Sequence, residues 1–172
     1  MGEDASADLF EGELGIRLKP LCRLDAELAL PIVLPNTPSG TRLIIEVLSL
    51  RLAGERLRAT MLGRAAADWL TLSPDGRTGT LDVRCTLETD DSALIFMYYG
   101  GRMRRATAGD AAHLIHVAPR FDTGDKRYDW LNAIQAIGKA AQPVGSQSLR
   151  YTFYEVEWCW IRPQRDQMVV LI

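Results

Sequence analysis

Asp68 and Arg84 are the two residues from which chemistry could start. Asp68 stands directly before Trp69. A carboxylate against an indole in an apolar mouth loses hydration, and its pKa rises. Such a group suits general acid or base work. The competing reading makes Asp68 a turn cap and Trp69 a core residue. Arg84 follows Asp82 in the run Thr80-Leu81-Asp82-Val83-Arg84-Cys85-Thr86-Leu87-Glu88. If the polar residues of that run face a pocket, the planar guanidinium fork can hold a carboxylate or enolate oxygen. If they face solvent, Arg84 needs no functional explanation. The residues alone leave both orientations open.

Around this pair stand the candidate substrate contacts. Trp69, Tyr98 and Trp130 would hold an apolar substrate, and Tyr128 and Tyr154 would extend an aromatic wall. Asp90 and Arg120 complete the set as polar contacts, although Asp90 and Asp91 also read as turn residues. The two histidines, His113 and His116, fall on opposite faces of a strand and would not chelate one metal. Cys22, Cys85 and Cys159 are odd in number and widely spaced, without metal-ligand spacing. No phosphate-binding glycine loop and no nucleophile elbow is present. The expected cofactor is therefore none, and the expected metal none.

The elements that must position these residues alternate with period two. Leu81, Val83, Cys85 and Leu87 share one face, and the polar residues between them share the other. Ser73-Pro74-Asp75-Gly76 precedes this strand as a turn, and Thr89-Asp90-Asp91-Ser92 follows it. Ala93 to Tyr99 completes a hairpin, ended by Gly100-Gly101. Further strands are expected upstream of Pro31 and Pro35, over Arg42 to Arg51, Arg56 to Leu62, His113 to Phe121 and Ser148 to Trp158. Trp130 to Ala141 is balanced on composition between a helix and a strand start. Residues 1–14 are acidic and polar and read as an adaptable arm. Residues 15–172 form one domain with a C-terminal extension, whose last residues, MVVLI, would pair with another strand or a second subunit.

Several short motifs in register carry a family resemblance. Asp68-Trp69, Asp75-Gly76, Leu81-Asp82-Val83-Arg84, Thr89-Asp90-Asp91, Pro119-Arg120-Phe121, Tyr128-Asp129-Trp130-Leu131-Asn132 and Tyr154-Glu155-Val156 resemble the domain-of-unknown-function family 3237 over roughly residues 20 to 157. The resemblance implies a single antiparallel β-barrel and a strand start near Trp130. It implies nothing about the reaction.

The totals set the outer bounds. At 172 residues the chain is long enough to bury a core. Lys plus Arg number 20 against 22 Asp plus Glu, which argues against a nucleic-acid surface. No apolar run approaches the ~20 residues of a membrane helix. No basic-then-apolar leader opens the chain, and the cysteine pattern fits a reduced compartment, so a cytoplasmic location is expected.

The fold class expected is all-β, a single antiparallel β-barrel of lipocalin-like or calycin-like form with little helix. The function expected is cofactor-independent proton transfer on a small, largely apolar carbonyl or carboxylate compound in the lumen. Isomerisation, elimination, hydration and cyclisation all fit. Asp68 would move the proton and Arg84 would hold the developing oxyanion. The alternatives are a non-catalytic lipocalin-like binder and an interaction domain whose lumen is filled by side chains. A lumen cavity of roughly 300 Å³ or more would favour the first two. The expected partners are a small apolar or aromatic ligand and a second copy of the chain, with no nucleic acid and no membrane.

Overall fold

The structure, a computed structural model, describes residues 14–160. In chain order its strands are β1 (Leu14–Leu28), β2 (Ile32–Thr37), β3 (Gly40–Ala53), β4 (Arg58–Met61) and β5 (Ala67–Leu72). Then come β6 (Thr78–Thr89), β7 (Leu94–Arg104), β8 (Ala112–Asp122), β9 (Ala136–Pro143) and β10 (Ser148–Trp160). A 3-10 turn, Asp129–Ala133, precedes β9. Pairing is antiparallel throughout and closes on itself. It runs β1–β10–β9–β8–β7–β6, then through β4 and β5 to β3, and β3 returns to β1. The fold is the expected antiparallel barrel. Among the described residues no helix is long and apolar enough to cross a membrane, which says nothing about strands.

Alternation decides which residues fill the barrel. Leu81, Val83, Cys85 and Leu87 of β6 are buried, and β7 matches them with Ile95, Met97 and Tyr99. The intervening polar residues face out. Arg84 and Asp82 therefore lie on the outer surface, their side chains 59% and 52% exposed. The orientation that put Arg84 in a lumen is corrected: apolar area on the opposite face of the same strand drives that face inward. The core is aromatic at its centre. Tyr99 meets Tyr151 edge-on at 5.9 Å between ring centroids, and Tyr151 lies 5.6 Å from Phe153.

Three boundaries differ from expectation. β7 does not stop at Gly100-Gly101 but runs on to Arg104, because both glycines stay in register opposite Ala118 and Val117. Pro35 does not end a strand but sits in β2, where only one edge is paired and a missing N–H is tolerated. Trp130 starts no strand. It belongs to the 3-10 turn, and β9 begins at Ala136.

The two ends of the barrel differ. At one end the 3-10 turn acts as a plug: Leu131 is fully buried, and Arg56 lies 4.0 Å over the Trp130 ring while its Nη1 donates to Glu155 Oε2 at 2.6 Å. At the other end the closing β1–β3 ladder covers only Arg23–Leu28 against Val47–Ala53. Beyond Val47 the edge of β3 is taken over by β2, which has no second partner among the described strands. The interior side chains there, Leu28, Leu43, Ile45, Ala140 and Leu149, are only half-buried. Beyond Leu28 and Ala29, whose N–H groups donate to the Gln147 and Glu46 carbonyls, the outer edge of β2 is unpaired among the described strands. The acidic arm before Leu14 and the MVVLI terminus lie outside the described residues.

Candidate functional site

Asp68 is half-buried and lies in the wall of the barrel on the inward side of β5, opposite Ile45 of β3 and Val83 of β6. The β5–β6 ladder pairs Asp68 with Val83 and Thr71 with Thr80, but skips the residues between. There the Asp82 N–H donates to Asp68 Oδ1 at 3.1 Å. A side-chain carboxylate thus replaces a main-chain acceptor in the sheet. Burial of the carboxyl pushes its pKa up to about 7, the neighbouring Asp82 charge acts in the same direction, and the Asp82 N–H opposes both. Among the described ion pairs none involves Asp68.

Two tyrosines share the interior with this carboxyl. Tyr99 pairs with Val83, so Asp68, Val83 and Tyr99 stand in one row across β5, β6 and β7. Tyr151 comes from β10, opposite Leu24. Burial raises the pKa of both phenols, and the Asp68 charge adds to the rise in each. Both hydroxyls stay protonated at neutral pH. The Tyr151 hydroxyl is buried, with the Tyr99 hydroxyl as its one polar neighbour. The residue-by-residue reading missed this pair. Its signal was parity: Tyr151 alternates in step with Phe153, and Tyr99 with Met97, which marks both as inward-facing.

The other expected contacts lie elsewhere. Trp69 is half-buried, with Arg84 5.9 Å from its ring. The Arg84 Nε and Nη2 donate to the two Asp82 oxygens at 3.3 and 3.2 Å. Arg84, Tyr98 and Arg120 stand opposite one another across β6, β7 and β8, and Tyr98 stacks on Phe96 at 5.6 Å. Tyr154 is half-buried on the outward side of β10, opposite Pro20 and Ile137. Trp130 belongs to the plug. Asp90 is exposed in the β6–β7 turn. Its neighbour Asp91 does the tying there, accepting from the Thr89 hydroxyl at 2.5 Å, the Tyr128 hydroxyl at 2.9 Å and Arg127 at 2.8 Å. The expected set therefore splits. Asp68 alone faces the interior, and Trp69, Arg84, Tyr98 and Arg120 gather on the outer face of β5 to β8.

His113 and His116 do fall on opposite faces: His113 Nδ1 accepts from the Ala106 N–H at 2.9 Å, and His116 is exposed. Cys22 and Cys85 are buried free thiols whose pKa burial pushes up to about 12, so neither is a reactive thiolate. No group of three metal-ligating side chains occurs among the described residues. Cavities of about 530, 520, 450 and 350 Å³ lie along the wall and ends, and none of these four is lined by Asp68, Tyr99 or Tyr151. At the level of Tyr99, Tyr151 and Phe153 side chains occupy the interior.

The chain matches a family model over residues 16–156, that of the protein of unknown function DUF3237. Solved structures share the barrel. A β-barrel-like protein from Acinetobacter baumannii is 26% identical, with a TM-score of 0.74 over 83% of this chain and 97% of that one. A protein of unknown function from Clostridium acetobutylicum is 19% identical, with a TM-score of 0.74 over 83% of this chain and 100% of that one. A protein described as an enzyme from Penicillium herquei is 19% identical, with a TM-score of 0.60 over 85% of this chain and 96% of that one. No curated protein matches.

Proposed function

This chain belongs to DUF3237, a family described as protein of unknown function; we propose that it is a cofactor-independent enzyme that moves a proton on a small, largely apolar carbonyl compound. Isomerisation, elimination, hydration and cyclisation belong to this class. The observation that carries the reading is the Asp68 carboxyl, inward-facing and with a pKa near 7. A carboxyl poised near neutrality is half ionised at working pH, so it can take a proton from carbon or oxygen and return it. Tyr99 and Tyr151 supply the neutral hydroxyls that could face the oxygen on which charge develops. Arg84 was the expected oxyanion holder, and its outward position passes that role to the tyrosines.

The barrel of the Penicillium herquei enzyme supports the reading only at the level of fold, since one fold hosts many functions. The rival reading, a lipocalin-like binder, uses the same interior groups, whereas the packing of Tyr99, Tyr151 and Phe153 supports the third reading, an interaction domain whose lumen is filled by side chains.

Asp68→Asn separates the enzyme from the binder. The amide keeps an oxygen for the Asp82 N–H but cannot exchange a proton. Thermal-shift screening of aromatic acids and cyclic ketones against the wild type supplies the ligand. The enzyme reading expects Asp68→Asn to bind that ligand with wild-type affinity and to lose turnover by at least 100-fold, the scale of general acid–base catalysis. Retained turnover in Asp68→Asn would remove the carboxyl from the chemistry.

A further inference from the structure

We infer that the outward face of the ribbon made by residues 14–20 of β1 and 154–160 of β10 is an interface, covered face to face by the same ribbon of a second copy of this chain. The ribbon projects past the body of the barrel. The β1–β10 ladder continues to Leu14 and Trp160, whereas β3 pairs with β1 only from Arg23 on, and β9 with β10 only as far as Glu155. Past the Val156 N–H, which donates to the Gln135 carbonyl, neither outer edge of the ribbon is paired among the described strands. A two-stranded ribbon is marginally stable in water unless its apolar face is packed against something.

The polarity of this ribbon is inverted. Ile16 stands opposite Trp158, Leu18 opposite Val156, and Pro20 opposite Tyr154, which in turn pairs with Ile137 of β9. They continue the outward side of the wall, where the next row, Arg23, Thr152 and Lys139, is polar. Ile16 is 65% and Trp158 76% exposed, with Leu18 and Ile137 also exposed beside them. The charges lie on the other side of the ribbon. There Arg17 and Lys19 pair with Glu157 at 2.7 and 2.9 Å, and Glu155 accepts from Arg56 at the plug.

Charge and area select a second copy as the cover. A two-fold axis sets the same patch against itself, and no charged side chain stands in this one. Joining copies through the strand edges instead would set Arg17 and Lys19 against like charges, or Glu155 and Glu157 against theirs. Residues 1–13 carry Glu3, Asp4, Asp8, Glu11 and Glu13, a poor cover for hydrocarbon. The terminal MVVLI laid flat on the face would leave its main-chain groups without partners. Two facing patches bury on the order of 1,000 Å² together, the small end of specific interfaces, which points to micromolar association. Ile32, Val33 and Leu34 of β2 are also exposed, but Pro31 and Pro35 bracket them and guard that edge.

Sedimentation velocity of the full chain from about 1 to 200 µM makes the test, with melting temperatures taken at the lowest concentration. The wild type should pass from monomer to dimer. Trp158→Lys and Ile16→Lys, one on each strand, should each weaken the dimer at least tenfold. Trp158→Phe keeps the face apolar and should hold the dimer within about threefold. Val33→Lys on β2 and Val170→Lys in the MVVLI terminus should leave it unchanged. A wild type that stays monomeric or assembles past the dimer overturns the inference, as does a dimer that survives either ribbon lysine. Dissociation by Val33→Lys or Val170→Lys also overturns it, by moving the interface to β2 or to the terminus. A melting temperature lowered by several degrees in both ribbon lysine variants would mean that the chain covers the patch itself, and contradicts a second copy there.

Discussion

Asp68 governs the expectations at the scale of residues. Its carboxyl has a folded value of about 7 against an unfolded value near 4. Between those values the folded state holds a proton that the unfolded state has released. Stability should therefore fall as pH rises from about 4 to about 7, by at most ~1.4 kcal/mol per pH unit. Urea unfolding at half-unit steps should show that slope, and Asp68→Asn should flatten it. Arg84 makes the opposite case. Its ion pair with Asp82 is exposed, and such pairs contribute under about 1 kcal/mol. Arg84→Met should leave the urea midpoint nearly unchanged and the ligand response at the wild-type level. A change in ligand response with the midpoint held would return Arg84 to the site. Asp68 stood out in the sequence for its place beside Trp69, but neighbouring residues of a strand point to opposite faces, so the barrel interior and not the indole desolvates the carboxyl. Tyr99 and Tyr151 were not legible, because parity marks a residue as inward without saying whether its hydroxyl is satisfied.

Strands were the most legible elements. The runs in β6, β8 and β10 alternate cleanly, β3 breaks step between Val47 and Leu50, and the Ser73–Gly76 and Thr89–Ser92 turns bracket β6 as their residue types demand. Glycine was misread in β7, because a glycine pair signals a stop in sequence yet also serves as space inside a barrel. Gly138 of β9 shows that use. A Cβ there would meet two Phe153 ring atoms at 2.5 and 2.7 Å, in a core with no slack. Gly138→Ala should destabilise by roughly 1–3 kcal/mol. Gly100 on the outer face is the control: a Cβ there meets only the Leu81 carbonyl oxygen at 3.5 Å. Gly100→Ala should be neutral or stabilise by up to about 1 kcal/mol, through the entropy it removes from the unfolded chain. Equal costs at the two positions in urea unfolding would mean that Phe153 does not press against β9. The Trp130 segment was illegible for a different reason. A single 3-10 turn has no periodicity of its own, and the stacking of Arg56 that holds it comes from a distant loop.

The whole molecule is a ring closed by its first and last described strands, with Leu14 paired to Trp160. Closing it brings together the ends of the described chain, so folding should be slow for its size, in milliseconds to seconds or longer. Stopped-flow refolding followed by tryptophan fluorescence checks that expectation, and a microsecond phase carrying the full amplitude would contradict it. The barrel as a class was legible from alternation. Its unpaired edge was not, since nothing in the run before Pro31 says that β1 leaves β3 at Leu28 and that β2 takes over without a partner of its own. That asymmetry leaves one end covered by the 3-10 turn and the other with an unpaired strand edge. Proton transfer by this barrel turns on the protonation of the Asp68 carboxyl. Carbon-13 NMR of aspartate-labelled protein, with Asp68→Asn to assign the signal, measures it directly. The Asp68 carboxyl resonance should titrate near pH 7, and a resonance titrating near 4 would contradict a proton-transfer role for it.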